Sequence, residues 1–275
     1  MVIKIYGMSQ NPDTKDYIMV LQYADGGNLN NWLTKNYKYF SWTNKLDVLR
    51  YIIDGLIKIH QRRIVHRDFH TGNILLEYKY IGVNANYAYI SDMGLSGKVN
   101  NVDEKNIYGV MPYLAPEVLR RKPYTEAADI YSFSMVMYFI ATGRQPFADR
   151  AHDEFLVLDI CKGIRPEINE PEAPRCYIEL MEKCWSSNPI NRPNVTKISG
   201  LINSFVNAGE ISKSFEEAEK YRKSHFSFFE SRQSITHPQA IYTSRLLNPF
   251  TEGLSKYDDN TECFDCVIKP DIHQE

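Results

Sequence analysis

Residues 64–76 read IVHRDFHTGNILL, two aliphatic flanks enclosing His66, Arg67, Asp68, His70 and Asn73. Asp68 and Asn73 stand five residues apart. At that separation one carboxylate can accept a hydroxyl proton while an amide oxygen further along the same loop ligates a hard cation such as Mg2+. The two histidines, His66 and His70, are spaced i,i+4, but the stretch is not helical in pattern and lacks the intervening glutamate of a zinc hydrolase. Zinc is therefore a minor alternative.

Upstream, Leu46, Leu49, Ile52, Ile53, Leu56, Ile57 and His60 recur at helical spacing, which predicts a helix over 43–60 with Thr43 as N-cap. Before it, residues 2–6 and 17–23 read as short strands joined through QNPDT, and LNNWL after ADGGN as the start of a short helix. Downstream, 74–90 reads as two short strands around a loop containing GVNAN, and the second ends in SDMG, with Asp92 as a further carboxylate. The stretch 96–112 has no periodicity and reads as exposed. Beyond Glu117 the pattern is helical at 129–141, 153–161, 177–185 and 195–206, with proline-containing links. A charged helix is expected over 210–224, and 225–275 lacks sustained periodicity and reads as a loosely ordered tail. Strands thus come early and helices late, an α+β class.

Bulk composition narrows the partners. With 32 basic and 34 acidic residues the chain has no long-range attraction for polyanions, so no nucleic acid is expected. No run approaches the roughly 20 apolar residues of a membrane span, so no membrane partner is expected either. Five scattered cysteines favour a reducing, intracellular and cytoplasmic setting. Cys263 and Cys266 have half of a zinc-site spacing and read as spare thiols.

HRDFHTGN (66–73), DMG (92–94) and APE (115–117), in this order and spacing, resemble the catalytic loop, metal-binding triplet and activation-segment close of the eukaryotic protein kinase family. The resemblance covers about residues 2–206. It implies a kinase-like fold, chiefly the helical large lobe with a remnant of the N-terminal β-lobe. Residues 1–24 would be the remnant and interlobe connector, 25–206 the helical lobe, and 207–275 a helical, then loosely ordered tail. It implies ATP and Mg2+ as cofactors and a protein substrate or binding partner. Asp68 would orient or deprotonate the acceptor hydroxyl, with His70 beside it facing the cleft, and Asn73 and Asp92 would hold the metal on the phosphates. Leu21 would stand at the gatekeeper position, backbone groups near Gln22 and Ala24 would meet the adenine edge, and Leu75 would pack beneath the purine. Asp129 would clamp the catalytic loop and Arg192 would pair with Glu117. Arg67 would sense a phosphorylated activation segment, with Ser96 and Tyr108 as modification sites.

Departures from the family pattern are equally readable. Only about 20 residues precede Leu21, without a glycine-rich loop, a phosphate-binding lysine or its helix glutamate, so these elements are expected to be absent and activity of the chain as written to be weak. A non-catalytic, pseudokinase-like scaffold is the alternative reading. His70 and Val110 replace the lysine and threonine usual in Ser/Thr kinases, while Gly72 and Tyr113 replace the arginine and tryptophan usual in tyrosine kinases. Tyr113 and the PYLAPE wording favour the Ser/Thr-type or the tyrosine-kinase-like branch of the family.

Overall fold

The computed structural model describes residues 1–78, 86–99, 106–207, 209–225, 236–252 and 254. The GVNAN loop (except Asn86), residues 100–105 and the Cys263–Cys266 pair lie outside them.

Strands β1 (Ile5–Gln10) and β2 (Tyr17–Leu21) form an antiparallel ribbon whose residues are all exposed. The first strand starts later than the sequence suggests. Residues 1–3 instead run beside Ile90, with Ile3 N donating to Ile90 O at 2.9 Å. After β3 (Gly27–Asn28) and α1 (Leu29–Asn36) comes the long helix α2 (Trp42–His60). Its N-cap is Ser41 rather than Thr43, the Ser41 hydroxyl accepting from Asn44 N at 3.3 Å. Threonine at 43 lies inside the first turn, too late to receive that amide.

Strand β4 (Ile64–Val65) leads into the catalytic-type loop, followed by β5 (Ile74–Tyr78) and β6 (Asn86–Ile90). Strands β3, β5 and β6 make one antiparallel sheet. Further on, β7 (Gly97–Lys98) pairs with β4, and β8 (Tyr108–Gly109) precedes a buried 3-10 turn at Met111–Tyr113. The exposed segment expected over 96–112 is therefore buried at its end, where Val110, Met111 and Pro112 pack inside.

The helical part follows with α3 (Pro116–Leu119), α4 (Glu126–Thr142), α5 (Glu154–Cys161), α6 (Arg175–Cys184), α7 (Val195–Asn207) and α8 (Gly209–Ser224). Helix α4 is the centre of the core: every residue from Ala128 to Thr142 is buried. A helix apolar all round can be stable in water only when enclosed. Gly143 ends it in the left-handed conformation (φ 69), its amide returning to Phe139 O at 2.8 Å.

The stretch beyond 225 has more order than its lack of periodicity implies. Residues 236–252 include β9 (Arg245–Leu246), paired antiparallel with β8, and a final turn α9 (Asn248–Thr251). The mixed α+β architecture, a large helical region bearing a small sheet remnant, is the one the resemblance implies.

Candidate active site

Asp68 lies in the loop between β4 and a 3-10 turn at Thr71–Asn73. The loop is held from below by Asp129 on the first turn of α4. That fully buried carboxylate accepts from His66 N at 2.9 Å and Arg67 N at 3.3 Å, and contacts His60 Nε2 at 2.9 Å. Two backbone amides turned toward one carboxylate force a sharp bend, and Arg67 adopts the left-handed φ of 70. A non-glycine residue there costs on the order of 1–3 kcal/mol and persists only where its surroundings fix it.

A second tie joins this loop to Asp92. His66, fully buried, accepts from Asp68 N at its Nδ1 (3.3 Å) and donates from Nε2 to Ser91 O at 3.0 Å. Both ring nitrogens are thereby committed inside the fold, leaving none for zinc. Ser91 returns two donors, its amide at 2.8 Å and its hydroxyl at 3.0 Å, to Asn73 O. Asp92 follows directly, also left-handed (φ 56) and exposed.

The structure brings Asp68, His70 and Asn73 together. Asn73 Nδ2 donates to Asp68 O at 2.9 Å and lies 3.4 Å from Asp68 Oδ2, which leaves the amide oxygen as its ligand atom. His70 Nδ1 accepts from Gly72 N at 3.1 Å, so the ring carries its proton on Nε2, 3.6 Å from Asp68 Oδ1. Asp68 is buried, and burial alone would push its carboxyl up. His70, the neighbouring Ser244 hydroxyl and the nearby His66 outweigh that and hold it below the usual carboxylate value.

Sequence reasoning missed what Gly72 does. A β-carbon there would lie 2.7 Å from His70 Cε1, so glycine at 72 and histidine at 70 are one steric unit. It also missed the buried polar chain beneath the loop: Tyr113 OH donates to Gln145 Oε1 at 2.6 Å, and Gln145 Nε2 to Asn30 Oδ1 at 2.7 Å. Only distance in space joins these residues, and no local pattern reports it.

The residues expected to meet a nucleotide are less tightly assembled. Leu75 on β5 pairs opposite Asn28, which sets the connector beside the loop that carries Asn73. Ala24 is buried, Gln22 Nε2 donates to Glu77 Oε2 at 3.2 Å, and Gln22 N is committed to Lys4 O at 2.8 Å. Leu21 ends the exposed ribbon. The glycines of ADGGN serve a tight turn: a β-carbon on Gly26 would stand 2.7 Å from Leu76 O. A cavity of about 530 Å³ near Arg144 and Tyr242 includes none of these residues in its lining.

Arg67, which precedes Asp68 in the loop, packs over Gly97 and reaches Lys98 O at 3.4 Å. Ser96 Oγ donates to Met93 O at 2.6 Å, and Tyr108 is in β8. Arg192 and Glu117 form a buried two-armed pair at 2.7 and 2.8 Å. Among the described residues no helix is long and apolar enough to cross a membrane.

The oxygens of Asn73 and Asp92 are a donor set that suits Mg2+: one amide and one carboxylate, tied together through Ser91, beside a carboxylate poised over the same loop.

A family profile described as "Protein tyrosine and serine/threonine kinase" matches residues 1–202. The chain is 27% identical to Serine/threonine-protein kinase STY17 of Arabidopsis thaliana, over 77% of this chain and 35% of the relative. It is 29% identical to human Receptor-interacting serine/threonine-protein kinase 1 (77% and 33%) and 32% identical to Dual specificity protein kinase zakA of Dictyostelium discoideum (65% and 24%). The chain thus spans about a third or less of the length of these relatives.

Proposed function

Given that the chain belongs to the protein tyrosine and serine/threonine kinase family, we propose that it transfers the γ-phosphoryl group of ATP to a protein hydroxyl, of serine or threonine type. The observation that carries this reading is the Asp68–Asn73 contact, the Asn73 amide nitrogen held 2.9 Å from the Asp68 backbone carbonyl and 3.4 Å from its carboxylate on a loop clamped by Asp129. Asp68 orients the acceptor hydroxyl and takes its proton, and its depressed pKa keeps it ionised near neutrality. His70 positions that carboxylate. Asn73 and Asp92 would hold Mg2+, which supplies charge compensation on the phosphates. The carbonyl of Gln22 and the amide of Ala24 serve the adenine edge, Leu75 its face, and Leu21 the gatekeeper position. Residues 1–24 act as connector and 25–206 as the catalytic lobe.

Incubating the full chain with labelled ATP, Mg2+ and a generic protein acceptor tests this. Label in the acceptor, lost in Asp68→Asn, supports it. No transfer, together with partner binding that needs no nucleotide, supports the scaffold reading, which the exposed ribbon of β1 and β2 favours.

A further inference from the structure

The C-terminal segment 236–252 is bound across the face that carries Asp68. Its β9 strand pairs antiparallel with β8 of the activation segment, setting Leu246 opposite Tyr108 and Arg245 opposite Gly109. The pairing continues past Tyr108. Leu247 N donates to Ile107 O at 2.8 Å, and Asn248 Oδ1 accepts from Ile107 N at 2.8 Å. Three side chains anchor it. Leu247 is fully buried in the core, Arg245 Nη2 donates to His152 O at 2.7 Å, and Tyr242 OH donates to Pro146 O at 2.9 Å. An extended segment added to a short strand by main-chain bonds, with alternate side chains in pockets, is how peptides are held by sheet edges.

This seat places one hydroxyl against the loop. Asp68 Oδ1 is buried with no hydrogen-bond partner, and the Ser244 side chain, next in the chain to Arg245 at the β8–β9 pairing, is a neighbour of this carboxylate. Ser244 itself remains exposed.

We propose that residues 241–249 occupy the acceptor groove as an internal substrate, with Ser244 as the hydroxyl that receives phosphate in cis. The proposal rests on the kinase reading above and adds the acceptor: a serine followed by arginine and, three residues on, a leucine that fills an apolar pocket. Ser244 Oγ attacks the terminal phosphorus of a nucleoside triphosphate, and its proton passes to the Asp68 carboxylate. The bond from that phosphorus to the bridging oxygen breaks, and the oxygen leaves with the electron pair on the nucleoside diphosphate. No atom is oxidised or reduced. The product carries about −1.5 to −2 charge beside Asp68, and that repulsion unseats the segment.

Two measurements on the full chain test the proposal. Phosphate sites are mapped by mass spectrometry after incubation with ATP and Mg2+, with a generic protein acceptor in the same tube. Phosphate at Ser244, absent in Ser244→Ala, with a first-order rate constant unchanged across a hundredfold range of protein concentration, supports it. A labelled acceptor with Ser244 unmodified overturns it and leaves the kinase reading standing. The second measurement needs no nucleotide: hydrogen exchange at residues 245–247 in Ser244→Glu against Ser244→Ala. Exchange faster by about tenfold or more in the glutamate variant supports the seat at Asp68. Equal exchange in the two variants overturns it, whether or not any transfer is seen.

Discussion

The Asp129 carboxylate receives the backbone amide of His66 at 2.9 Å from the first turn of α4. It thereby fixes the bend on which Asp68 stands. Asp129→Ala leaves two buried amides and His60 without their acceptor, a loss of about 1–3 kcal/mol per unsatisfied group. We expect a lower thermal midpoint and a collapse of transfer activity, whereas Asp129→Asn, which retains one acceptor oxygen, keeps more of the stability. Differential scanning calorimetry on the two variants checks this order.

Arg192 and Glu117 are both buried, and Arg192 also donates to Ser186 O and Ala127 O. Arg192→Met removes one charge and strands the other, so destabilisation of about 3–5 kcal/mol is expected. Replacing both, Arg192→Met with Glu117→Leu, removes the stranded charge. Urea unfolding of the double variant should recover part of the loss, and a double variant worse than the single one contradicts the account.

Gly72→Ala pushes a methyl group into the His70 ring, where the available distance is 2.7 Å. His70 must then move away from Asp68. Transfer activity should fall about tenfold or more, since the His70–Asp68 geometry shifts. The pair Gly72→Ala with His70→Ala relieves the clash, and comparing the rates of the single and double variants measures the coupling.

Much of this was legible in the sequence for a chemical reason. HRDFHTGN, DMG and APE are short stretches whose residue types stand close together in the chain and so form a readable pattern. The Asp129 clamp and the Arg192–Glu117 pair could be placed only through the family resemblance, because more than sixty residues separate the partners. The seat of 236–252 was not legible at all. Its bonds run to Ile107, Tyr108 and His152, and a strand of two residues leaves no alternation to detect. The His70–Gly72 fit was likewise hidden, since nothing in the letters says that an imidazole folds back over the next glycine but one.

His152 makes docking of that segment sensitive to pH. Its Nδ1 lies 3.0 Å from Ile241 N and 2.9 Å from Ile241 O, and its Nε2 lies 3.2 Å from Phe147 O. Burial lowers its pKa and the nearby Arg245 adds to this, against the raising effects of the Ile241 and Phe147 carbonyls and Asp153. A histidine whose folded value lies below 6.5 binds its proton more weakly when docked. The docked state thus has its full advantage above pH 6.5 and loses it as pH falls through the lowered value. Proteolytic cleavage within 241–251 should accelerate on acidification in the wild type and become less pH-dependent in His152→Gln.

The central claim is that Asp68, Asn73 and Asp92 act on one cation, one nucleotide and one hydroxyl. Calorimetric titration of ATP into the full chain, with and without Mg2+, tests it most directly. The account predicts binding that requires the metal, weakened at least about tenfold in Asn73→Ala and Asp92→Asn, and retained in Asp68→Asn, which fails only at transfer. Binding of equal strength in all four proteins, or binding indifferent to Mg2+, would contradict it.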